Sequence, residues 1–206
     1  SLAKEKPDIL CLQEGFTEVL PDKYSHLSKI GLFELKHGPI AGYNSSFLAT
    51  YLDTKKYDYV EDTDFNKKYG KKYFNMNRAG TKFPLPCRTQ IFIITDKKTN
   101  EETIIVNLHG TGIPEIEKRS ILLNFLSNYL NEVYPQYDIV MVGDFNTNLQ
   151  RRKGDDKEIE FAKDLRNKIF SNFDIFPKND KQKSSYHRFI RNPDMTLSEK
   201  SPSERY

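Results

Sequence analysis

The stretch PDILCLQE, residues 7–14, decides the fold prediction for this chain. Its centre, Ile9 to Leu12, is a short apolar run, and Pro7 and Gly15 lie on either side of it as breaks. Such a run is typical of a buried strand. Glu14 then lies at the carboxyl end of that strand, where a side chain can reach the edge of a sheet.

Two later stretches repeat this arrangement of a buried strand that ends in a polar side chain. In IIVNLHG, residues 104–110, the strand ends at His109, and in IVMVGDFN, residues 139–146, it ends at Asp144 and Asn146. Polar groups at strand ends converge at one edge of a sheet, where α/β proteins often place their sites. Two carboxylates, an imidazole and an amide suit an oxygen-liganded Mg²⁺ beside a phosphate-binding donor.

Each of these stretches also has an ordinary structural interpretation. Glu14-Gly15 and Gly143-Asp144 are common turn sequences, and Asn146 is a residue type that caps a following segment. A lone histidine such as His109 is more often a half-buried loop residue than a catalytic one. The joint occurrence favours a functional site, because three independent turns rarely all present metal- or proton-active groups in this order.

Together the three stretches resemble the sequence blocks of the endonuclease/exonuclease/phosphatase family. Residues 7–14 resemble its PDILCLQE block, residues 107–109 its NxH block and residues 142–146 its GDFN block, in the family's order and at spacings typical of it. The resemblance implies a DNase I-like α/β fold. That fold is a four-layer α/β sandwich, in which two packed mixed β-sheets are flanked by helices.

The resemblance also implies a role for five residues. Glu14 takes the place of the family's metal-binding glutamate, and the implied cofactor is Mg²⁺, with Mn²⁺ as an alternative. Asp144 and Asn146 take the places of residues that orient or deprotonate the attacking water and contact the phosphate. His109 matches the histidine that stabilises charge on the phosphate. Arg88 lies where nuclease members have a phosphate-binding arginine, although a surface arginine that caps a hairpin explains it equally well.

Two features of the family's pattern are missing from this sequence. Only six residues precede Pro7, so the family's first strand and its asparagine are absent, and no Asp-His pair occurs between Asp144 and Tyr206. We therefore expect residues 1–206 to form a single domain that is truncated at both ends. A degenerate, inactive scaffold is the alternative, and the retained site residues favour truncation.

Composition and charge restrict the class of protein. The 206 residues include 32 Lys and Arg against 29 Asp and Glu, and the resulting formal charge of +3 permits a phosphate-bearing substrate without requiring one. A hydrophobic fraction of 37% argues against disorder. The two cysteines have no zinc-site spacing and cannot form a disulfide framework; Cys11 is expected to be a small buried residue. No apolar run reaches the ~18 residues of a membrane span.

The rest of the sequence predicts further strands and helices and leaves the structure of one segment, residues 65–83, open. The predicted strands are residues 46–52, 57–60, 90–95, 103–108 and 137–142, and the predicted helices are 113–133 and 158–170. Residues 15–44 are predicted to be loop-rich. Residues 65–83 interleave lysines with aromatic residues without usable periodicity. They could hold a nucleic-acid backbone against stacked bases, or they could be an ordinary solvated loop.

The function that the resemblance implies is Mg²⁺-dependent hydrolysis of phosphodiester or phosphomonoester bonds. Nuclease action on DNA or RNA is the leading expectation, because the sequence has neither an inositide signature nor a lipid-insertion segment. The family also contains inositol-phosphate phosphatases and sphingomyelinases, and one fold serves all of them. A catalytically inactive binding scaffold is the alternative from another class. The expected partner is a phosphoester substrate, with nucleic acid favoured.

Overall fold

The computed structural model describes residues 6–15, 20–36, 45–75, 89–110, 116–145, 156–169, 188–191 and 197–200. The elements within these ranges are β1 (Ile9–Gly15), β2 (Ser28–Lys36), β3 (Ser45–Leu52), β4 (Tyr57–Asp62), α1 (Asp64–Asn75), β5 (Thr89–Asp96), β6 (Glu102–His109), α2 (Ile116–Val133), β7 (Asp138–Asp144), α3 (Asp156–Asp164), β8 (Arg188–Arg191) and β9 (Leu197–Lys200). A 3-10 turn, Asp22–Tyr24, precedes β2, and a π-helical turn, Leu165–Ile169, continues α3.

The larger sheet has the strand order β4-β5-β6-β7. Strands β4, β5 and β6 are antiparallel, whereas β7 is parallel to β6, with α2 as the connection between them. The predicted hairpin of β5 and β6 is confirmed. Asp96 begins its turn, where the carboxylate accepts hydrogen bonds from the backbone N–H groups of Lys98 at 2.7 Å and Thr99 at 3.1 Å, and Asn100 takes a positive φ of 61°.

The smaller sheet has the order β1-β3-β2 and is antiparallel throughout. It packs on the larger sheet through a core that includes Leu52, Phe92, Ile94 and Ile105, with Cys11 packed against it. Burial, which outweighs a hydrogen bond with Thr50, raises the pKa of the Cys11 thiol to about 12. The thiol therefore stays protonated and serves as a small apolar side chain, as predicted.

The helices cover the other face of the larger sheet. On β6, residues alternate between the two faces: Ile104, Val106 and Leu108 belong to the helix-side core, and Ile105 belongs to the core between the sheets. The helix-side core also contains Phe65, Tyr69, Leu122, Leu123, Leu126, Tyr129, Leu130, Tyr134, Phe161 and Leu165. Asn107 and His109 therefore fall on the side of β6 that faces the smaller sheet.

Two packed sheets with flanking helices agree with the fold expectation. Of the two packed sheets, the smaller is antiparallel and the larger is mixed, whereas two mixed sheets were expected. Strands β8 and β9 pair separately as a two-stranded antiparallel sheet. Over the outer face of the smaller sheet, the described residues contain only the 3-10 turn, through which Tyr24 and Leu27 pack on Ala49 and Tyr51. The fourth layer stays a prediction. Among the described helices, none is long and apolar enough to cross a membrane.

The prediction that residues 65–83 are a loop is wrong for their first half. Residues 65–75 belong to α1, in which Phe65 and Tyr69 are buried one helical turn apart against Tyr129. Lys68 pairs with Glu132 at 2.9 Å, with its ammonium over two of these rings. These aromatic side chains stabilise the packing of α1 on α2, so they are not a surface for stacking bases.

Strand β2 corrects a second expectation, since it lies inside the stretch predicted to be loop-rich. It is the edge strand of the smaller sheet, and its exposed residues include Lys29 and Leu32. Its register with β3 shifts between Lys29 and Gly31. An edge strand tolerates charged side chains and irregular pairing, and it therefore lacks the apolar alternation by which strands are recognised.

Asp62, at the end of β4, connects this strand of the larger sheet to helices α1 and α2. Its Oδ1 accepts the backbone N–H of Asp64 at 2.7 Å and caps α1, while its Oδ2 accepts the hydroxyls of Tyr129 at 2.7 Å and Tyr134 at 2.6 Å. The pKa of each phenol lies above its ordinary value, mainly because the ring is buried and secondly because the hydroxyl donates to Asp62. Both tyrosines therefore stay protonated as donors.

We expect Asp62→Ala to lower the free energy of unfolding by about 2–4 kcal/mol, because it removes a helix cap and leaves two buried hydroxyls without their acceptor. Denaturant titration would measure the loss. Asp64→Ala is the matched control, since its side chain is exposed and pairs with the exposed Lys67 on the helix surface. Equal losses in the two variants would contradict this role for Asp62.

Candidate active site

Two of the predicted site residues lie side by side. Strands β6 and β7 run parallel, and the register pairs His109 with Asp144 at their carboxyl ends. His109 is 3% exposed and Asp144 is half-buried. Met141 and Phe145, which lie three residues before and one residue after Asp144, pack in the helix-side core. Asp144 therefore alternates to the same face as His109, the face toward the smaller sheet.

Two glycines allow these strand ends to approach closely. Gly143 has a φ of +144°, and a Cβ added there would overlap the backbone oxygen of Leu108. A Cβ on Gly110 would lie 2.7 Å from the backbone oxygen of Phe145. The Gly110 N–H donates to the backbone oxygen of Asp144 at 2.6 Å, which continues the pairing past the end of β6. Both positions therefore require glycine for close backbone contact.

We expect Gly143→Ala to lower the free energy of unfolding by about 2–4 kcal/mol, because backbone strain adds to displacement of β7 from Leu108. Asp144 would move with the strand. Val140→Ala is the matched control on the same strand, where the side chain is 46% exposed and the backbone is ordinary. Thermal unfolding of both variants would measure the loss of stability. If Gly143→Ala were as stable as wild type, the backbone at residue 143 would not require glycine.

The end of β1 lies toward the same edge. Cys11 packs with the core around Ile105, and Gln13 Nε2 donates to Asn107 Oδ1 at 2.6 Å, so β1 and β6 advance in the same direction. The backbone of Glu14 follows Gln13 within β1. Its side chain lies outside the described part of the chain, so its role as a metal ligand stays a prediction.

The other two predicted residues, Arg88 and Asn146, lie outside the described residues. Their roles in phosphate binding and water activation also stay predictions. Of the five residues, the side chains of His109 and Asp144 can be placed by the structure, and it brings them together at one sheet edge. The backbone of a third, Glu14, comes toward that edge from the opposite sheet.

Sequence reasoning missed a buried polar network between the two sheets. Asn107, with 0% exposure, accepts from Gln13 and donates through Nδ2 to Ala49 O at 3.1 Å and Thr50 Oγ1 at 3.0 Å. Thr50 in turn donates to Gln90 Oε1 at 2.8 Å. The available signal was the presence of polar residues at inward positions of otherwise apolar strands, since buried polar groups are hydrogen-bonded.

The donor chemistry at this edge fits Mg²⁺. Among the residues that the structure describes, no group of three or more His, Cys, Asp and Glu side chains is arranged to hold a metal ion. Mg²⁺ keeps several waters and is usually bound through one or two carboxylates, so a larger cluster is not required. Asp144 supplies one carboxylate at the edge, and Glu14 would supply a second.

Comparison with solved structures identifies the fold. The human Nocturnin catalytic domain with bound sulfate anion superposes with a TM-score of 0.54 at 16% identity, over 79% of this chain and 57% of that chain. The structure of D. rerio TDP2 complexed with single strand DNA product also matches, with a TM-score of 0.45 at 14% identity, over 79% of this chain and 54% of that chain. An endonuclease/exonuclease/phosphatase family protein from Bacteroides thetaiotaomicron matches with a TM-score of 0.45 at 17% identity, over 70% of this chain and 52% of that chain.

The likeness to the Nocturnin domain shows that the chain shares its fold, the endonuclease/exonuclease/phosphatase fold. The chain spans little more than half the length of each of these structures. At 16% identity, the likeness to the Nocturnin domain establishes the fold and not the activity. No protein-family model matches the chain, and no curated protein matches it.

Proposed function

We propose that this chain is a Mg²⁺-dependent phosphoesterase of the endonuclease/exonuclease/phosphatase family, with a nucleic acid as its leading substrate. The observation that supports this most is the register pairing of His109 with Asp144 at the carboxyl edge of the larger sheet. An imidazole and a carboxylate held as neighbours by backbone pairing can act on one phosphate group. The fold is one in which strand-end residues of this kind hydrolyse phosphoesters.

The proposed roles follow from the chemistry of the side chains. Asp144 would orient the attacking water and accept its proton, and His109 would donate a hydrogen bond to a phosphate oxygen as negative charge develops there. Because His109 is buried, such a hydrogen bond would form in a low dielectric and require little reorganisation. Asn146 and Arg88 would contact the same phosphate.

Glu14 would hold the Mg²⁺, which would neutralise charge on the phosphate when bound. Glu14 and Asp144 belong to strands of different sheets, so the proposed site depends on how the sheets are held together. We also propose that the complete protein has the four-layer sandwich of its family, with helices on both outer faces.

The nucleic-acid preference rests on the sequence more than on the structure. The net charge of +3 permits a polyanionic substrate, and no inositide signature or lipid-insertion segment is present in the sequence. Helix α1 adds no support, because the aromatic residues Phe65 and Tyr69 are packed in the core. Inositol phosphates and sphingomyelin are the alternative substrates, and a binding scaffold without turnover is the alternative function.

A substrate panel tests the proposal. The natural full-length protein that carries this sequence would be given plasmid DNA, RNA, inositol phosphates and sphingomyelin, each with Mg²⁺ and with EDTA. We expect cleavage of a nucleic acid that EDTA abolishes. His109→Ala is expected to lose that cleavage, and His26→Ala is the matched control, because His26 bonds the backbone oxygen of Pro7 away from the proposed site.

Three other outcomes would change the proposal in distinct ways. EDTA-sensitive turnover of an inositol phosphate or sphingomyelin would keep the phosphoesterase and replace the substrate. A folded protein that binds nucleic acid without turning over any of the four substrates would support the scaffold and overturn the enzyme. Turnover that persists in EDTA would overturn the role of Mg²⁺.

A further inference from the structure

We propose that the hydrogen bond from Gln13 to Asn107 positions the end of β1, and with it Glu14, against the strand ends that carry His109 and Asp144. The inference rests on the proposed function and extends it. Gln13 and Asn107 are positioning residues in this account, because they would act on the reaction through the placement of Glu14 and His109.

The bond joins the two sheets close to the proposed site. Gln13 directly precedes Glu14 on β1, and Asn107 lies two residues before His109 on the same face of β6. The Gln13 Nε2 to Asn107 Oδ1 distance is 2.6 Å. Each member of the bond is therefore one or two residues from a predicted site residue, on a different sheet.

The backbone ladder does not fix this part of β1 by itself. The register with β3 pairs Leu12 with Ala49 and then Gly15 with Phe47, so one extra residue lies in β1 between the two pairs. This irregularity falls at Gln13 and Glu14. Bulges of this kind interrupt ladder hydrogen bonds and redirect the strand, so the strand end needs another contact to define its position.

The orientation of the Asn107 amide is specified by its other partners. Its Nδ2 donates to Ala49 O and Thr50 Oγ1, so its Oδ1 is the atom that remains for Gln13. Asn107 is fully buried, and a buried amide in a satisfied network has one stable arrangement. The acceptor presented to Gln13 is therefore held in place by β3, the middle strand of the smaller sheet.

A purely structural role makes a different prediction for these residues. If the network only stabilised the packing of the sheets, then Thr50, which is also fully buried and donates to Gln90 Oε1 at 2.8 Å, would matter for activity as much as Gln13 does. Thr50 lies on β3, on which none of the predicted site residues lies. Comparing the two positions separates positioning from stability.

The test compares Gln13→Met with Thr50→Val in the natural full-length protein. Both substitutions nearly preserve volume and remove hydrogen bonds of the same network. The readouts are the melting temperature, kcat and KM for the cleaved phosphoester, and Mn²⁺ affinity from the electron paramagnetic resonance signal of the free ion. Mn²⁺ binding needs no turnover, so it reports on the site independently of the reaction.

We expect Gln13→Met to weaken Mn²⁺ affinity and lower kcat by about 10- to 100-fold each, as is typical when a partner that orients a metal ligand is lost. Thr50→Val should lower the melting temperature at least as much while leaving Mn²⁺ affinity within about 2-fold of wild type. In this variant Asn107 Nδ2 keeps Ala49 O at 3.1 Å and Gln90 Oε1 at 3.3 Å as acceptors, so Asn107 Oδ1 stays directed at Gln13. Excess Mn²⁺ should restore part of the activity lost in Gln13→Met. If Thr50→Val loses activity, excess Mn²⁺ should not restore it.

Equal losses of Mn²⁺ affinity in the two variants would overturn the inference and leave the network a structural one. Unchanged affinity and kcat in Gln13→Met, with an active wild type, would overturn it as well while leaving the proposed function intact. A folded wild type that neither binds Mn²⁺ nor cleaves any substrate would remove the proposed function, and this inference with it.

Discussion

Replacing Asp144 with asparagine is expected to lower phosphoester turnover by about 10²- to 10⁴-fold, the range lost when a positioned general base is removed. The amide has nearly the volume of the carboxylate, so the strand pairing with His109 should persist. The asparagine amide cannot accept a proton from water at neutral pH. The loss should therefore appear in kcat, with the melting temperature nearly unchanged.

Asp138→Asn is the matched control for this experiment. Asp138 begins β7, at the opposite end from Asp144, and is exposed. Initial rates at saturating substrate, together with thermal unfolding of both variants, make the comparison. If Asp144→Asn retained turnover within about 2-fold of wild type, or if the two variants lost it equally, Asp144 would not be a catalytic residue.

Glu14→Gln is expected to produce the second large loss, by weakening Mg²⁺ binding. A glutamine oxygen is a neutral donor, whereas the hard Mg²⁺ ion is held mainly by carboxylate charge. We expect the Mn²⁺ or Mg²⁺ affinity to fall more than about 100-fold, beyond the loss typical of a residue that only orients a ligand. Turnover at a fixed low Mg²⁺ concentration should fall with it.

A metal titration distinguishes this loss from a general defect. Raising the Mg²⁺ concentration should recover activity in Glu14→Gln but not in Asp144→Asn, whose defect lies in the proton transfer. Glu160→Gln is the control, because this residue lies exposed on α3. Wild-type metal affinity in Glu14→Gln would contradict the assignment of Glu14 as a ligand.

The fold was predictable where burial imposes a clear apolar pattern. Strands β5, β6 and β7 and helix α2 were all anticipated, because each has a clear apolar run or apolar periodicity in the sequence; on β6 the run Ile104 to Val106 is buried. Strand β2 and helix α1 were missed for opposite reasons. β2 is an exposed edge with a register shift, and in the part of α1 whose side chains the structure describes, Phe65 and Tyr69 are buried on either side of exposed lysines.

The candidate site was predictable only as a set of strand ends. The motif pattern indicated His109 and Asp144, and the parallel register of β6 and β7 then paired them. The sequence could not indicate that Gln13 and Asn107 join the sheets, because contacts 94 residues apart depend on the packing of one sheet on the other. Gly143 was interpreted as part of a common turn sequence. Its positive φ and its close approach to the backbone of Leu108 show instead that the two strands can pack here only if residue 143 has no side chain.

A double-mutant cycle on His109 and Asp144 tests the central claim most directly, namely that these two residues act as one catalytic unit. The measurement is kcat for the cleaved phosphoester in wild type, His109→Ala, Asp144→Asn and the double variant, all with saturating Mg²⁺. The account predicts that the double variant is scarcely slower than the slower single variant, because residues that act on one transition state lose their effects together. Losses that multiply, or a double variant as active as wild type, would contradict it.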